Sequence, residues 1–157
     1  MTARPATEPE IVEIAQTPTV VVRDRVAFAD FAEFFDRSFP LLADAVVAQG
    51  LTITGPAFSR YHGEITETAD VEAGFPVDRA PEPDGRVTAS TLPGGRVARL
   101  VHVGSYDGLP DAWAALESWI AGQELAERDD FWEVYTTEPT PETDPADLHT
   151  ELNRPLA

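Results

Sequence analysis

The chain has 157 residues, enough for one domain with a substantial core or for two small fused halves. Its formal net charge of −17 repels phosphate backbones, which argues against direct nucleic-acid binding and leaves cationic ligands or a basic protein partner as the favoured associates. There are no cysteines, so disulfides, thiolate nucleophiles and cysteine-ligated metals are excluded. No apolar stretch approaches a membrane span, and residues 1–10 carry no basic-then-apolar leader. These features predict a soluble, cytoplasmic protein with no membrane partner.

Residues 1–9 read as a disordered tail, and 10–157 as a single α+β domain. Ile11–Gln16 and Thr19–Arg23 have strand character and are joined at Thr17-Pro18. A helix is expected from about Asp30 to Gln49, because Phe31, Phe34, Phe35, Leu41, Leu42, Ala45 and Val46 recur at helical spacing. Pro40 should kink or divide it, and Gly50 suits a left-handed cap. Ala57–Gly63 and Ala69–Val77 read as two more strands. Asp78–Gly85 is acidic and proline-rich, as expected of a linker. Arg86–Leu92 and Arg96–Gly104 flank Pro93-Gly94-Gly95, a hairpin signal. A second helix should run from about Leu109 or Pro110 to Gln123, followed by strands at Phe131–Thr137 and His149–Leu156, with Glu138–Asp147 a surface excursion between them.

The order strand, strand, helix, strand, strand thus occurs twice, over about 10–78 and 86–157. Gln49-Gly50-Leu51 closes the first helix and Gln123-Glu124-Leu125 the second. Ten residues separate Leu51 from Tyr61, and ten separate Leu125 from Tyr135. Val71-Glu72-Ala73-Gly74-Phe75-Pro76-Val77 aligns with Thr150-Glu151-Leu152-Asn153-Arg154-Pro155-Leu156, matching the glutamate and the proline. On this register Phe58 corresponds to Trp132, Ser59 to Glu133 and Tyr61 to Tyr135.

The run Phe131-Trp132-Glu133-Val134-Tyr135 draws attention to Glu133. Strand side chains alternate, so Phe131, Glu133 and Tyr135 share one face and Trp132 takes the other, where it is expected to pack on the helices. A carboxylate covered among aromatic rings needs a cation, a proton or a substrate that takes the proton. Tyr135 and its repeat mate Tyr61 are candidate hydrogen-bond donors, and Ser59 is the uncharged counterpart of Glu133. Trp113 and Trp119 lie six apart on one helix, so one is expected in the core and the other at the site. Tyr106 sits where a strand meets the second helix. His62, His102 and His149 lack metal-ligand spacing, and no serine has a nucleophile-elbow context, so neither metal nor cofactor is expected.

With the repeat and this strand in hand, the chain resembles the GyrI-like small-molecule-binding domain. This is the effector-binding domain of AraC-type and MerR-type multidrug regulators, which also occurs alone. Five segments in order carry the resemblance: Asp70–Val77, Leu92–Ala98, His102–Asp107, Trp132–Tyr135 and Thr150–Pro155. The resemblance implies a pseudo-twofold duplication of a ββαββ unit, whose antiparallel sheet surface is concave and backed by two helices. It also implies a ligand cleft between the repeats with Glu133 as the central acidic residue, and Phe131, Tyr135, Tyr61, Ser59, Tyr106, Trp113 and Trp119 as candidate lining. Glu124 departs from the family pattern, which has glycine there, so either the helix should run on or the 124–130 loop should take another path. Only about ten residues precede the first strand, too few for a helix-turn-helix.

Three functions are compatible with these residues. The first is binding of apolar, often cationic or polycyclic small molecules. The second is hydrolysis of reactive, cyclopropane-type natural products, with Glu133 as general base on water assisted by Tyr135 or Tyr61. The third is a gyrase-inhibitor-like protein-binding module.

Overall fold

A computed structural model describes residues 8–63, 66–137 and 142–157. Residues 1–7 of the expected tail, and 138–141 of the loop after Tyr135, lie outside the described residues. The elements in chain order are β1 (Glu10–Ile14), β2 (Thr17–Ala27), α1 (Phe31–Gln49), β3 (Phe58–His62), β4 (Thr68–Pro76), β5 (Val87–Leu92), β6 (Gly95–Val103), α2 (Leu109–Gly122), β7 (Asp130–Tyr135) and β8 (His149–Pro155). The class is α+β with antiparallel sheets and two helices. No helix among the described residues is long and apolar enough to cross a membrane.

The chain divides into two compact units. One is Ala15–Gly94; the other joins the N-terminal strand, up to Ile14, to Gly95–Ala157. In the first unit the strand order is β3-β4-β2-β5, and in the second it is β7-β8-β6-β1. The spatial order of strands is therefore the same, although β5 comes last along the chain in its unit and β1 first in its own. The boundaries nevertheless fall one strand later than those of the sequence repeats. β1 pairs with β6, Ile11 opposite Ala98, and β5 pairs with β2, Ala89 opposite Val20. The Pro93-Gly94 link joins β5 to β6 without making them a hairpin, and β1 and β2 are not paired either. Each unit thus takes its edge strand from the neighbouring stretch of sequence.

Local chemistry explains most of these elements. β2 runs past the expected Arg23 to Ala27 because its charged end finds partners on β4. The Arg23 guanidinium donates to both oxygens of Asp70, at 2.9 and 2.7 Å, and Arg25 donates to Thr68 Oγ1 at 3.1 Å. The valines Val20, Val21 and Val22 are buried on both faces of the sheet. α1 buries Phe34, Ser38, Leu42, Ala45 and Val46 against β2 and β4. That stripe continues on both sides of Pro40, and α1 remains one helix of 19 residues. Pro40 cannot donate to the carbonyl four residues back, but it lies on the exposed side, where water can serve that carbonyl. Leu41, expected on the apolar stripe, is exposed. In the second unit, α2 closes a core of Ala98, Leu100, Ala112, Leu116, Ile120, Leu152 and Leu156.

The helix ends settle the question raised by Glu124. Gly50 ends α1 with φ 63, and the Leu51 amide donates to the Val46 carbonyl at 3.0 Å. Glu124 takes the same left-handed conformation, φ 57, and the Leu125 amide donates to the Ile120 carbonyl at 3.3 Å. The helix neither runs on nor diverts; the glutamate accepts the strained backbone, at a cost of about 1 kcal/mol. Superposing the two caps matches Leu42 with Leu116, Val46 with Ile120 and Phe39 with Trp113. Strand pairing repeats the register too: Ser59 stands opposite Ala73 as Glu133 stands opposite Leu152.

Candidate functional site

The second unit gathers four of the candidate residues around Glu133. Leu152, directly opposite Glu133, belongs to the α2 core, so Glu133 lies on the helix side of β7. Trp132 therefore points to the other side, paired with Asn153, and is buried there. This reverses the expectation that Trp132 packs on the helices, and it brings α2 onto the carboxylate.

Glu133 is only 8% exposed. Trp113, on α2, donates its indole N–H to Glu133 Oε2 at 2.7 Å. Tyr135, two residues along the same strand face, donates its hydroxyl to Glu133 Oε1 at 3.0 Å. Each carboxylate oxygen thus has one aromatic donor. Among the described residues, no arginine forms an ion pair with it. Burial pushes the Glu133 carboxyl up from its ordinary value of 4.5, and the hydrogen bonds from Trp113 and Tyr135, with the charge of His102, only partly offset that rise.

Aromatic rings surround this group. Tyr106 meets Tyr135 edge to face at 6.0 Å. Its hydroxyl is also pushed up, by burial first and then by the charge of Glu133. Phe131 meets Trp113 edge to face at 4.9 Å. His102 orients the entry to α2: its Nε2 bonds the Ser105 carbonyl at 2.9 Å, and Ser105 Oγ accepts the Asp107 amide at 3.2 Å. Gly108 makes room for that imidazole, since a Cβ there would stand 2.8 Å from His102 Cε1. Trp113 and Trp119 both pack against the α2 core, and of the two it is Trp113 that reaches the carboxylate.

Ser59 and Tyr61 belong to the first unit. Both are buried, and Ser59 Oγ donates to the Tyr61 hydroxyl at 3.2 Å. The i, i+2 contact of Glu133 with Tyr135 therefore has an uncharged counterpart. Tyr61 also stacks on Phe31 at 6.1 Å, the start of a series of rings along α1: Phe31, Phe35 and Phe39, ending on Phe75 of β4.

The sequence reading missed a charged cluster beside the site. Arg154 Nε lies 2.6 Å from Glu127 Oε2 and 3.7 Å from Glu117 Oε1, and its guanidinium sits over the Phe131 ring, 5.2 Å from the centroid. Burial, reinforced by a hydrogen bond with Glu127, pushes the Glu117 carboxyl up to about 7. Glu117 follows Trp113 by four residues, so helical spacing could have placed it on the same face. A second cluster, on the other side of the first unit's sheet, sets the buried Glu72 against His62 and, at 3.8 Å, Arg60. No group of side chains among the described residues is arranged to hold a metal ion.

Solved structures share this fold. The crystal structure of the EcmrR C-terminal domain has a TM-score of 0.83 and 24% identity, covering 96% of this chain and 97% of that one. EcmrR in a cryo-EM complex with DNA has a TM-score of 0.85 and 24% identity over 97% of this chain; the chain spans 57% of that one. SAV2435 bound to tetraphenylphosphonium has a TM-score of 0.68 and 13% identity, covering 96% and 94%. A hydrolase from Listeria innocua has a TM-score of 0.66 and 13% identity, covering 98% and 94%. No curated protein sequence matches. The family model of the GyrI-like small molecule binding domain matches residues 7–157, nearly the whole chain, and the chain belongs to that family.

Proposed function

We propose that this GyrI-like domain binds apolar small molecules that carry a positive charge, with Glu133 as the counter-charge and Trp113, Tyr135, Tyr106 and Phe131 as the aromatic surround. The single observation that carries the reading is the state of Glu133: covered, held by two aromatic donors, and without an ion-pair partner among the described residues. Such a carboxyl tends to keep a proton. A lipophilic cation can replace that proton, because it brings charge without needing much water, and the ring faces add cation–π attraction. SAV2435, of the same fold, was solved with a cation of that type.

The test is titration of tetraphenylphosphonium into the protein, followed by tryptophan fluorescence. Glu133→Gln, which keeps the shape and one acceptor, is expected to weaken binding by roughly 30-fold, the equivalent of about 2 kcal/mol. Unchanged affinity in that variant would remove Glu133 from the site.

One observation favours hydrolysis as a second reading. A carboxyl raised above its ordinary value, with a tyrosine hydroxyl at 3.0 Å, is suited to take a proton from water while the water oxygen attacks an electrophilic carbon. In ring opening of a cyclopropane-type substrate the breaking bond leaves its electron pair on the departing atom, which Tyr135 can protonate. Turnover of such a compound by the wild type, lost in Glu133→Gln, distinguishes this reading from binding alone.

A further inference from the structure

We propose that Arg154 is a positioning residue for the Glu133 site, acting through Phe131 on the indole of Trp113. The inference rests on the reading of Glu133 as the site's central group, and the chain of contacts is continuous. Glu127 and Glu117 hold the guanidinium from the loop before β7 and from α2, at 2.6 and 3.7 Å. The guanidinium lies over Phe131. The Phe131 ring meets Trp113 edge to face at 4.9 Å, and Trp113 donates to Glu133 at 2.7 Å. An indole N–H placed within hydrogen-bond range of one carboxylate oxygen depends on the ring's tilt about two side-chain torsions. Phe131 bears on that tilt through its edge-to-face contact and is itself half-buried. The guanidinium lies over the Phe131 ring and is in turn anchored by two carboxylates, which limits how far either ring can move.

The first unit supplies independent support. On the register set by Glu72 with Glu151 and Pro76 with Pro155, Arg154 corresponds to Phe75. The helix caps match Trp113 with Phe39. Phe75 meets Phe39 edge to face at 5.6 Å. In both units the same strand position therefore backs the same helix position. In one it does so directly with a ring, and in the other through an intervening ring with a charge behind it. The difference matches what the helix residue has to do: Phe39 only packs, whereas Trp113 must also aim a donor.

The experiment reads the titration of Glu133 in the ligand-free protein by carbon NMR of its side-chain carboxyl, assigned by the loss of that signal in Glu133→Gln. Trp113→Phe should raise the midpoint, because the donor to the charged form is gone. Arg154→Leu should raise it in the same direction in the wild-type background and leave it unmoved in Trp113→Phe. An equal shift in both backgrounds would mean that Arg154 acts by its charge and not by placing Trp113. No shift in either would mean that it is not connected to the site. Arg154→Lys, which keeps the charge and the pairing to Glu127 but not the planar stack, serves if Arg154→Leu does not fold; it should give a smaller rise, again absent in Trp113→Phe. Tetraphenylphosphonium affinity at neutral pH should fall about 3- to 10-fold in Arg154→Leu. If Glu133→Gln binds the cation as tightly as wild type, the binding reading fails while the positioning result still stands or falls on the NMR titration.

Discussion

The two units have the same strand order, the same helix placement and the same cap geometry, yet only one carries a carboxylate at the strand position held by Glu133. At matched positions the first has Phe39, Ser59 and Tyr61, and the second has Trp113, Glu133 and Tyr135. In the first, a small hydroxyl bonds the tyrosine, and the matched helix phenylalanine packs on Phe75. In the second, a carboxylate takes the hydroxyl's place, the tyrosine becomes a donor to it, and the helix ring acquires an N–H aimed at it. The change from serine to glutamate is therefore matched by a change from phenylalanine to tryptophan at the helix position that contacts it. At this position a carboxylate stands where both of its oxygens meet donors, and the first unit, with Phe39 in place of Trp113, has serine there.

Installing the charge without its donor is the harshest way to break this comparison. Ser59→Glu places a carboxylate at a fully buried position in a unit that has Phe39, which cannot donate, at the helix position matched to Trp113. We expect a loss of about 3 kcal/mol in denaturant unfolding, from desolvation and overpacking together. Adding Phe39→Trp should recover part of it; a double variant no more stable than Ser59→Glu alone would count against the matching of the two pairs.

Trp113→Phe makes the second unit resemble the first while leaving the charge in place. The folded protein then loses a hydrogen bond to the ionised form of Glu133, worth about 2 kcal/mol. The sign with pH follows from the raised titration of this group. Where the carboxyl is neutral in both states, below its unfolded value of 4.5, the loss is small; it grows as pH rises through the folded midpoint and is full above it. Unfolding curves at pH 4 and pH 8.5 should separate by that amount, and equal destabilisation at both would mean that the indole only packs.

The smallest expected effect concerns the caps. Glu124 holds φ 57 where Gly50 holds φ 63, so Glu124→Gly should stabilise the protein by about 0.5–1 kcal/mol. Gly50→Glu, by the same token, should destabilise it. A shift of melting temperature in opposite directions for the two variants checks this.

Much of the fold could be read along the chain because its signals are local. Period-two alternation, the phenylalanine spacing of α1 and the glycine after Gln49 marked the elements to within a few residues. The matched Glu72/Glu151 and Pro76/Pro155 gave a register that the strand pairing reproduces. What could not be read is nonlocal. The Pro93-Gly94-Gly95 hairpin signal is a sound turn signal, but whether the flanking strands pair with each other or with β2 and β1 is decided by the sheet as a whole. Alternation correctly set Phe131, Glu133 and Tyr135 on one face without saying which face meets the helix, so Trp132 was assigned to the wrong side. The Arg154–Phe131–Trp113 chain joins three elements distant in sequence, and only the packed structure brings them together.

The central claim is that Glu133 exchanges a proton for a cation. Its most direct test is the affinity for tetraphenylphosphonium measured from pH 4 to pH 9 in wild type and Glu133→Gln. The account predicts that wild-type affinity rises with pH to a plateau, with a midpoint above 4.5, and that Glu133→Gln binds weakly with a flat profile. A Glu133→Gln protein that keeps the wild-type affinity, or the wild-type pH dependence, would contradict it.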